Sequence, residues 1–333
     1  MIISRTPFRI SFFGGGTDYP EWYRENGGAV LSTSINKFSY ITARYLPPFF
    51  DYKYRIRYYQ REETNSIEDI QHPSVKQSLK FLKFTDNLDL VHHADLPARA
   101  GLGSSSTFTV GLLHAIYALQ SKMVSKRQLA MNAINIEQNL IKESVGSQDQ
   151  IAPAFGGFNK IEFGGINEFT VKPISVNPQR TKLLESNLML FFTRFSRTAS
   201  NIAAEQIKSI HKRKVELTEM HESVDQAIEI MTSNQSMDDF GRLLGVQWKN
   251  KKKMTALVTN ADIDEIYSKG IKAGATGGKL LGAGGGGFML FYVPKDKQEQ
   301  VKKDLKDLLY VPFAFDYTGS QIIYYSDTRY SNK

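Results

Sequence analysis

The first half of the chain alternates short apolar runs with segments of helical periodicity. Within residues 107–120, Phe108, Leu112 and Ile116 recur at four-residue spacing, which places them on one face of a helix. Helical patterns cover residues 19–26, 107–120 and 126–141. Runs rich in β-branched and aromatic residues predict strands at residues 7–13, 29–35, 38–45, 53–59 and 87–94. This mixture predicts an α+β domain.

The second half combines a few strands with longer helices. Strands are predicted near 157–163, 169–174, 187–193 and 288–293, with two more at the end of the chain. Helical patterns occupy much of 198–250, then 262–272 and 295–309, and residues 273–287 are rich in glycine. At 333 residues, two domains are expected. We expect a first domain over residues 1–165 and a second over residues 166–333.

Composition narrows the class of protein. The chain has no cysteine, which excludes disulfide frameworks and thiolate chemistry, and it lacks an apolar run long enough to span a bilayer. Its N-terminus lacks the pattern of a signal peptide, so a cytoplasmic protein without a membrane partner is expected, as a monomer or a homodimer. The net charge of +8 suits an anionic partner. The basic runs at 211–214 and 249–253 lie in helical patterns and are predicted to be solvated helix faces, which disfavours nucleic acid as the partner.

One glycine-rich loop carries the clearest chemical signal. Residues 101–106, Gly-Leu-Gly-Ser-Ser-Ser, lie between a predicted strand and a predicted helix. Glycines let a backbone approach a ligand, and the N-terminus of a helix offers N–H groups to a phosphate. An ordinary capped helix after a tight turn would have the same pattern, and the motif alone leaves both interpretations open. The six histidines show no metal-ligand spacing, so no histidine is assigned to a metal.

Three segments together resemble one enzyme family. Residues 7–19, 97–106 and 279–288 are similar, in this order, to the three motifs of the GHMP kinases, which include galactokinase, homoserine kinase and the mevalonate kinases. The resemblance implies an N-terminal α+β domain like part of a ribosomal protein and a ferredoxin-like C-terminal domain, with the active site in the cleft between them. It also implies phosphoryl transfer from ATP to a small-molecule hydroxyl, with Mg²⁺ as cofactor.

The resemblance implies a role for individual residues. Asp149 matches the catalytic aspartate and Arg9 the cationic residue near the reacting group. Ser105, or alternatively Ser104, would hold Mg²⁺ with Glu137. The residues expected to bind ATP are Pro97, Gly101, Leu102, Gly103, Ser104, Ser105, Ser106, Gly284 and Gly285. The residues expected to bind the acceptor are Gly15, Gly16, Thr17, Asp18 and Arg197, of which Arg197 would bind a phosphate already on the substrate.

Within the family, the segments 14–18 and 104–110 look most like those of the D-glycero-D-manno-heptose phosphate kinases. Galactokinases carry Glu-His where this chain has Gly15 and Gly16, which argues against galactose. We therefore expect phosphorylation of the anomeric hydroxyl of D-glycero-D-manno-heptose 7-phosphate. A fucose- or galactose-type sugar kinase is the alternative. A nucleic-acid-binding module is the alternative from another class, because the N-terminal fold is shared with a ribosomal domain.

Overall fold

The computed structural model describes residues 1–98, 100–165, 168–193 and 199–326. The strands are β1 (Ile2–Phe13), β2 (Gly28–Tyr45), β3 (Tyr54–Arg57), β4 (Arg61–Thr64), β5 (Leu88–Ala94), β6 (Phe158–Phe163), β7 (Phe169–Pro173), β8 (Leu188–Phe192), β9 (Gly277–Leu280), β10 (Phe288–Tyr292), β11 (Leu309–Tyr310), β12 (Phe315–Asp316) and β13 (Gln321–Tyr325). The helices are α1 (Pro20–Asn26), α2 (Pro73–Phe81), α3 (Ser104–Leu119), α4 (Lys126–Ile134), α5 (Gln148–Phe155), α6 (Pro178–Asn187), α7 (Ala199–Ser209), α8 (Lys214–Thr232), α9 (Asp238–Met254), α10 (Ala261–Lys272) and α11 (Gln298–Asp304). A π-helical segment, Asn135–Ile141, continues α4.

The larger sheet is organised around the long strand β2. Its neighbours on the main path run in the order β13-β1-β2-β5-β3-β4, and β6 and β12 also pair with β2. β1 follows β2 antiparallel over almost its whole length. Along the other edge, β6 pairs with the first half of β2 and β5 with the second half. The two strands predicted at 29–35 and 38–45 are therefore one continuous strand.

Helix α3 is central to the core of this half. It contacts β1, β2, α4 and α5, and its side chains are buried around most of its circumference. A helix that is apolar on all sides is typical of a buried position. The helix begins directly after Gly103, whose left-handed backbone (φ 77°) lets the chain turn from the preceding loop into the helix. This packing fixes the N-terminus of α3 against the sheet.

The smaller sheet lies in the second half of the chain. Its four antiparallel strands run in the order β11-β8-β10-β9. Helix α9 packs on β9 and β10, while α8 packs on α9 and also contacts β1 and β2 of the larger sheet. Trp248, Phe240 and Phe291 are fully buried in this region. The α8–α9 pair therefore joins the two sheets and forms one side of the space between them.

The observed elements confirm the α+β class and refine the expected boundaries. The expected domain division at residue 165 falls between β6 and β7, which pair with each other, and β12 and β13 from the end of the chain join the larger sheet. Because these strands pair across the expected boundary, the sheets do not mark a domain limit at residue 165, and the division stays a prediction. The helix expected over 295–309 is shorter, because α11 ends at Asp304. No helix in the described ranges is long and apolar enough to cross a membrane.

One strand formed where only a glycine-rich segment was expected. β9 begins with Gly277 and Gly278, which pair with β10. A Cβ atom on Gly277 would lie 1.9 Å from the carbonyl oxygen of Gly241 in α9, and one on Gly278 would lie 2.6 Å from the carbonyl oxygen of Leu290. Gly277 is therefore needed because α9 packs directly on the backbone of this strand, and Gly278 because the neighbouring strand β10 approaches as closely.

Candidate active site

A cavity of about 630 Å³ lies between the two halves of the chain. Its walls are the end of β1 with the turn after it, the loop before α3, the start of α5, and residues 282–283 with Lys251 of α9. A narrower arm extends toward the β3–β4 turn and the start of α2. Residues from all three motifs found in the sequence line this one cavity.

The loop before α3 forms one wall. Gly101 and Gly103 have positive φ angles of 80° and 77°. The amide of Thr107 donates to the carbonyl of Gly103 (2.8 Å), the first bond of the α3 ladder. Ser104, Ser105 and Ser106 form the first turn and line the cavity. The first turn of a helix directs N–H groups and the positive end of the helix dipole outward, which suits a phosphate group.

The third motif packs directly against this loop. A Cβ on Gly101 would lie 2.5 Å from the carbonyl oxygen of Leu281, and one on Gly282 would lie 2.4 Å from the Cα of Gly101. Gly282 and Ala283 line the cavity. Two glycine backbones in contact therefore connect the halves of the chain at the site.

Four of the residues predicted to bind ATP lie behind this wall or beside it. Gly284 and Gly285 pack against Val258, which accepts a bond from the amide of Gly285 (2.9 Å), and they do not line the main cavity. Leu102 is fully buried under the loop. Pro97 lines a neighbouring cavity of about 560 Å³. These four residues support the site's shape and do not face the main cavity.

Arg9 and Asp149 meet in the cavity as an ion pair. The Nη2 and Nε atoms of Arg9 both donate to Oδ1 of Asp149, at 2.9 and 3.2 Å, and its Nη1 donates to the carbonyl of Gly101 (3.1 Å). Arg9 is 2% exposed, whereas the Asp149 side chain retains 20%. The pair brings together two residues 140 positions apart that the sequence resemblance assigned to one reaction centre.

The turn after β1 places Asp18 beside Asp149. The amide of Gly16 donates to Oδ1 of Asp18 (2.8 Å), and Gly15 and Gly16 line the cavity with it. Burial, and then the charge of Asp149, raise the pKa of Asp18 to about 6. Thr17 does not line the cavity, because its buried hydroxyl lies within hydrogen-bonding distance of the carbonyls of Gly14 (2.8 Å) and Ala29 (2.9 Å) and donates to one of them. Its side chain therefore stabilises the turn, which does not support the expected contact with the acceptor.

Two polar atoms near Gly15 have no hydrogen-bond partner among the residues that the structure describes. Oγ of Ser11 and Oε1 of Gln148 are buried, and both residues line the cavity. A Cβ on Gly15 would lie 3.7 Å from both Ser11 Oγ and Gln148 Nε2. A buried polar atom without a partner is costly, so a ligand hydroxyl at this point would be favoured. Sequence reasoning did not identify these two residues, since serine and glutamine carry no distinctive spacing.

Glu137 is completely buried behind the first turn of α3. Its carboxylate accepts bonds from Ser106 Oγ (2.6 Å) and Thr109 Oγ1 (2.7 Å), and from the side-chain amide of Gln150. Burial raises the pKa of Glu137 to about 7. Its predicted metal partner, Ser105, instead lies near Glu143, with Oγ and Oε2 3.5 Å apart. In the part of the chain that the structure describes, no three Asp, Glu or His side chains converge as a metal cluster.

Two lysines of the second half reach the cavity although they are almost fully buried. Nζ of Lys279 donates to the carbonyls of Ser11 (3.0 Å) and Phe12 (2.8 Å). Nζ of Lys251 donates to the carbonyls of Leu280 (3.2 Å) and Gly282. Lys251 lies in the run 249–253 that was predicted to be solvated, and for this residue the prediction was wrong. The helical period could have located it, since Leu244, Trp248 and Lys251 share the buried face of α9.

An aromatic group closes the far arm of the cavity. The His72 ring stacks on Phe108 with centroids 4.6 Å apart, and Tyr58 meets His72 edge-on at 4.8 Å. The buried carboxylate of Glu62 accepts bonds from the Tyr58 hydroxyl (2.8 Å) and from the amides of Gln71 (2.6 Å) and His72 (3.1 Å). Glu62 therefore fixes the β3–β4 turn to the start of α2. Arg197, predicted to bind a substrate phosphate, lies outside the described residues.

Comparison with known proteins places this geometry in a family. Residues 73–157 match the family model of the GHMP kinases N terminal domain, and residues 227–311 match that of the GHMP kinases C terminal domain. The D-glycero-alpha-D-manno-heptose 7-phosphate kinase of Campylobacter jejuni is 31% identical over 332 residues, which cover 96% of this chain and 97% of that protein. The chain belongs to the GHMP kinase family. Family membership confirms the two-domain fold and a phosphotransferase that uses ATP, and the full-length similarity to a sugar-phosphate kinase indicates that it acts on a sugar hydroxyl.

Other similar proteins agree with this placement. A D-glycero-D-manno-heptose 1-phosphate kinase from Bacteroides thetaiotaomicron has the same fold, with a TM-score of 0.80 at 24% identity, covering 98% of this chain and 100% of that chain. An L-fucokinase/L-fucose-1-phosphate guanylyltransferase of Bacteroides fragilis is 26% identical over 91% of this chain. This chain spans 35% of the length of that bifunctional protein.

Proposed function

We propose that this GHMP kinase transfers the γ-phosphate of ATP to the anomeric hydroxyl of D-glycero-D-manno-heptose 7-phosphate. The full-length similarity to a heptose 7-phosphate kinase supports the acceptor. The observation that carries the chemistry is the Arg9–Asp149 pair, which faces the same cavity as the N-terminus of α3. The proposal retains the expectation of a cytoplasmic enzyme, monomeric or homodimeric, that does not bind nucleic acid.

ATP would occupy the cavity from α3 to the aromatic arm. The first turn of α3 provides N–H donors for the triphosphate, so Ser104, Ser105 and Ser106 are the contacts nearest to it. The arm provides the rings of Tyr58 and His72, which can stack with a purine base, and the buried Phe108 supports the His72 ring from behind. With the triphosphate at α3 and the base in the arm, the turn containing Asp18 remains for the acceptor.

Magnesium fits the side chains around Ser105. The available donors are hydroxyl and carboxylate oxygens, which suit this hard cation, and phosphate oxygens and water usually complete its coordination. Ser105 and Glu143 face the cavity and would hold the ion, and the buried Glu137 would join them by exchanging a bond from Ser106 or Gln150 for the metal. Burial raises the pKa of Glu137, and a cation beside its carboxyl would favour the carboxylate form. When bound, Mg²⁺ would neutralise charge on the phosphates.

Asp149 is placed to act on the acceptor hydroxyl. Both Arg9 bonds go to Oδ1, so Oδ2 is available to orient the hydroxyl and accept its proton as the oxygen attacks the γ-phosphorus. The Arg9 guanidinium would stabilise negative charge on the transferring group. Asp18, Ser11 and Gln148 would bind the other sugar hydroxyls, and Gly15 keeps the space open.

Initial rates of ADP release with a panel of acceptors test the proposal. We expect kcat/KM for heptose 7-phosphate to exceed that for free heptose, fucose, galactose, mevalonate and homoserine. A higher value for fucose or galactose would favour the alternative sugar kinase. No ADP release with any acceptor, together with binding of nucleic acid, would favour the alternative module.

A further inference from the structure

Lys251 is a charged residue of the cavity that the proposed chemistry does not use. It is 8% exposed, lies on α9, and lines the cavity between Gly282 and the turn containing Asp18. Burial and, to a smaller extent, the positive charge of Arg9 lower the pKa of Lys251 to about 7, and the charges of Asp18 and Asp149 partly oppose this effect. An amine held in such a place is costly unless it serves a ligand or the fold.

Among the described residues, donor capacity separates the two cavity-lining lysines from Arg9, and the greater exposure of Lys251 (8% against 3%) separates it from Lys279. Arg9 directs three of its nitrogens to Asp149 and to the carbonyl of Gly101. Lys279 is 3% exposed and donates to two carbonyls of β1, which connects β9 to that strand. An ammonium group has three donors, and Lys251 uses two of them on the carbonyls of Leu280 and Gly282. The third is available to a molecule in the cavity.

The charges around Lys251 favour an anionic ligand. Arg9, Lys251 and Lys279 face two carboxylates, Asp18 and Asp149, in this half of the cavity. Burial also lowers the pKa of Lys279 well below its usual value, and the charges of Lys251 and Arg9 lower it further. Three basic side chains therefore meet two carboxylates in this half of the cavity, and an anionic ligand beside the buried amines would favour their protonated forms, which a neutral sugar would not do.

We propose that Lys251 binds the phosphate that the acceptor already carries, and so selects a sugar phosphate over a neutral sugar. This inference rests on the proposed function, because it assumes that the acceptor is a sugar phosphate. Lys251 acts as a specificity residue that binds one end of the acceptor while Asp149 addresses its reacting hydroxyl at the other.

The test compares two acceptors in Lys251→Met and in a matched control. Hydrogen bonds to charged groups contribute enough to change affinity by roughly 10- to 100-fold. We expect kcat/KM for heptose 7-phosphate to fall by that factor, mainly through a higher KM. The kcat/KM for free heptose and the KM for ATP should each change less than about threefold. Lys252→Met is the control, because Nζ of Lys252 lies 3.1 Å from Oδ1 of Asp264 and the residue does not line the cavity.

The outcomes distinguish this inference from the proposed function. A wild-type preference for neutral sugars would overturn both. A preference for heptose 7-phosphate that Lys251→Met retains, or an equal loss with both acceptors, would overturn the role of Lys251 alone. If Lys251→Met does not fold, calorimetry of the wild-type protein provides the test. Comparing the binding heat at pH 8 in two buffers of different ionisation enthalpy measures the protons taken up on binding. Binding of heptose 7-phosphate should take up a proton as the amine gains an anionic partner, and binding without proton uptake would contradict the inference.

Discussion

Replacing Asp149 with asparagine should remove the acceptor of the hydroxyl proton while leaving the site assembled. The substitution preserves the shape of the side chain and its Oδ1 atom, so Arg9 can still donate to it at about the present distances of 2.9 and 3.2 Å. The bond from Arg9 Nη1 to the carbonyl of Gly101 is not affected, so the loop before α3 should keep its position. What is lost is the negative charge and the ability to accept a proton.

The magnitude follows from the role of a general base. Such groups contribute roughly 10²- to 10⁴-fold to a rate, which corresponds to about 3–5 kcal/mol of transition-state stabilisation. We expect kcat to fall within this range while the KM for ATP changes less than about threefold. The fold should lose less than the roughly 3–5 kcal/mol that follows complete removal of one partner from a buried ion pair, because the asparagine oxygen remains as an acceptor.

Steady-state ADP release, with a thermal melt of each variant, measures both effects. Asp239→Asn is a matched control, because it removes the same charge from an exposed pair with Arg242 on α9. It should leave kcat unchanged. An Asp149→Asn enzyme that retains kcat within a few-fold of wild type would refute the assignment of Asp149 as the base.

Three further predictions concern the supporting parts of the site. Gly282→Ala should destabilise the protein by roughly 1–3 kcal/mol more than Gly165→Ala in urea unfolding, because both have φ near 70° but only the Cβ at 282 would meet another backbone; equal losses would contradict the close contact. Phe108→Leu should raise the KM for ATP by about tenfold with kcat nearly unchanged, because Phe108 supports the His72 ring on which the base would stack, and base stacking contributes about 1–3 kcal/mol; a changed acceptor KM instead would refute the base-binding arm. The folded-state pKa of Glu137 is raised to about 7, so its contribution to stability is lost as pH rises from about 4.5 to 7, and Mg²⁺ competes with that proton. The rise in melting temperature caused by Mg²⁺ with a non-hydrolysable ATP analogue should therefore grow between pH 5.5 and 8 in wild type but not in Glu137→Gln, and equal pH dependence would exclude Glu137 as a ligand.

Local sequence features predicted the elements that short-range interactions determine, such as turns and the starts of helices. The loop before α3 was recognisable because glycines and a following helix are both visible in sequence. α2 and α6 were missed, although each begins with a proline, at Pro73 and Pro178, which is a common first residue of a helix. These two helices could therefore have been predicted from the chain alone.

The remainder depends on contacts between distant segments. Sequence periodicity does not show that β13 pairs with β1 or that Gly282 contacts Gly101, because these contacts join residues hundreds of positions apart. The motif resemblance identified Asp149 and Arg9, yet it also included Gly284 and Gly285, which pack behind the cavity. Lys251 was missed because a run of lysines on a helix is normally solvated, although its helical spacing from Leu244 and Trp248 places it on the buried face of α9.

The structure of the product formed from ATP and heptose 7-phosphate tests the central claim most directly. Phosphorus NMR of the wild-type reaction distinguishes a phosphate on the anomeric oxygen from one on any other hydroxyl. We predict a heptose 1,7-bisphosphate, formed in equal amount to ADP. A product phosphorylated at another position, or recovery of unchanged heptose 7-phosphate after incubation with Mg-ATP, would contradict the account.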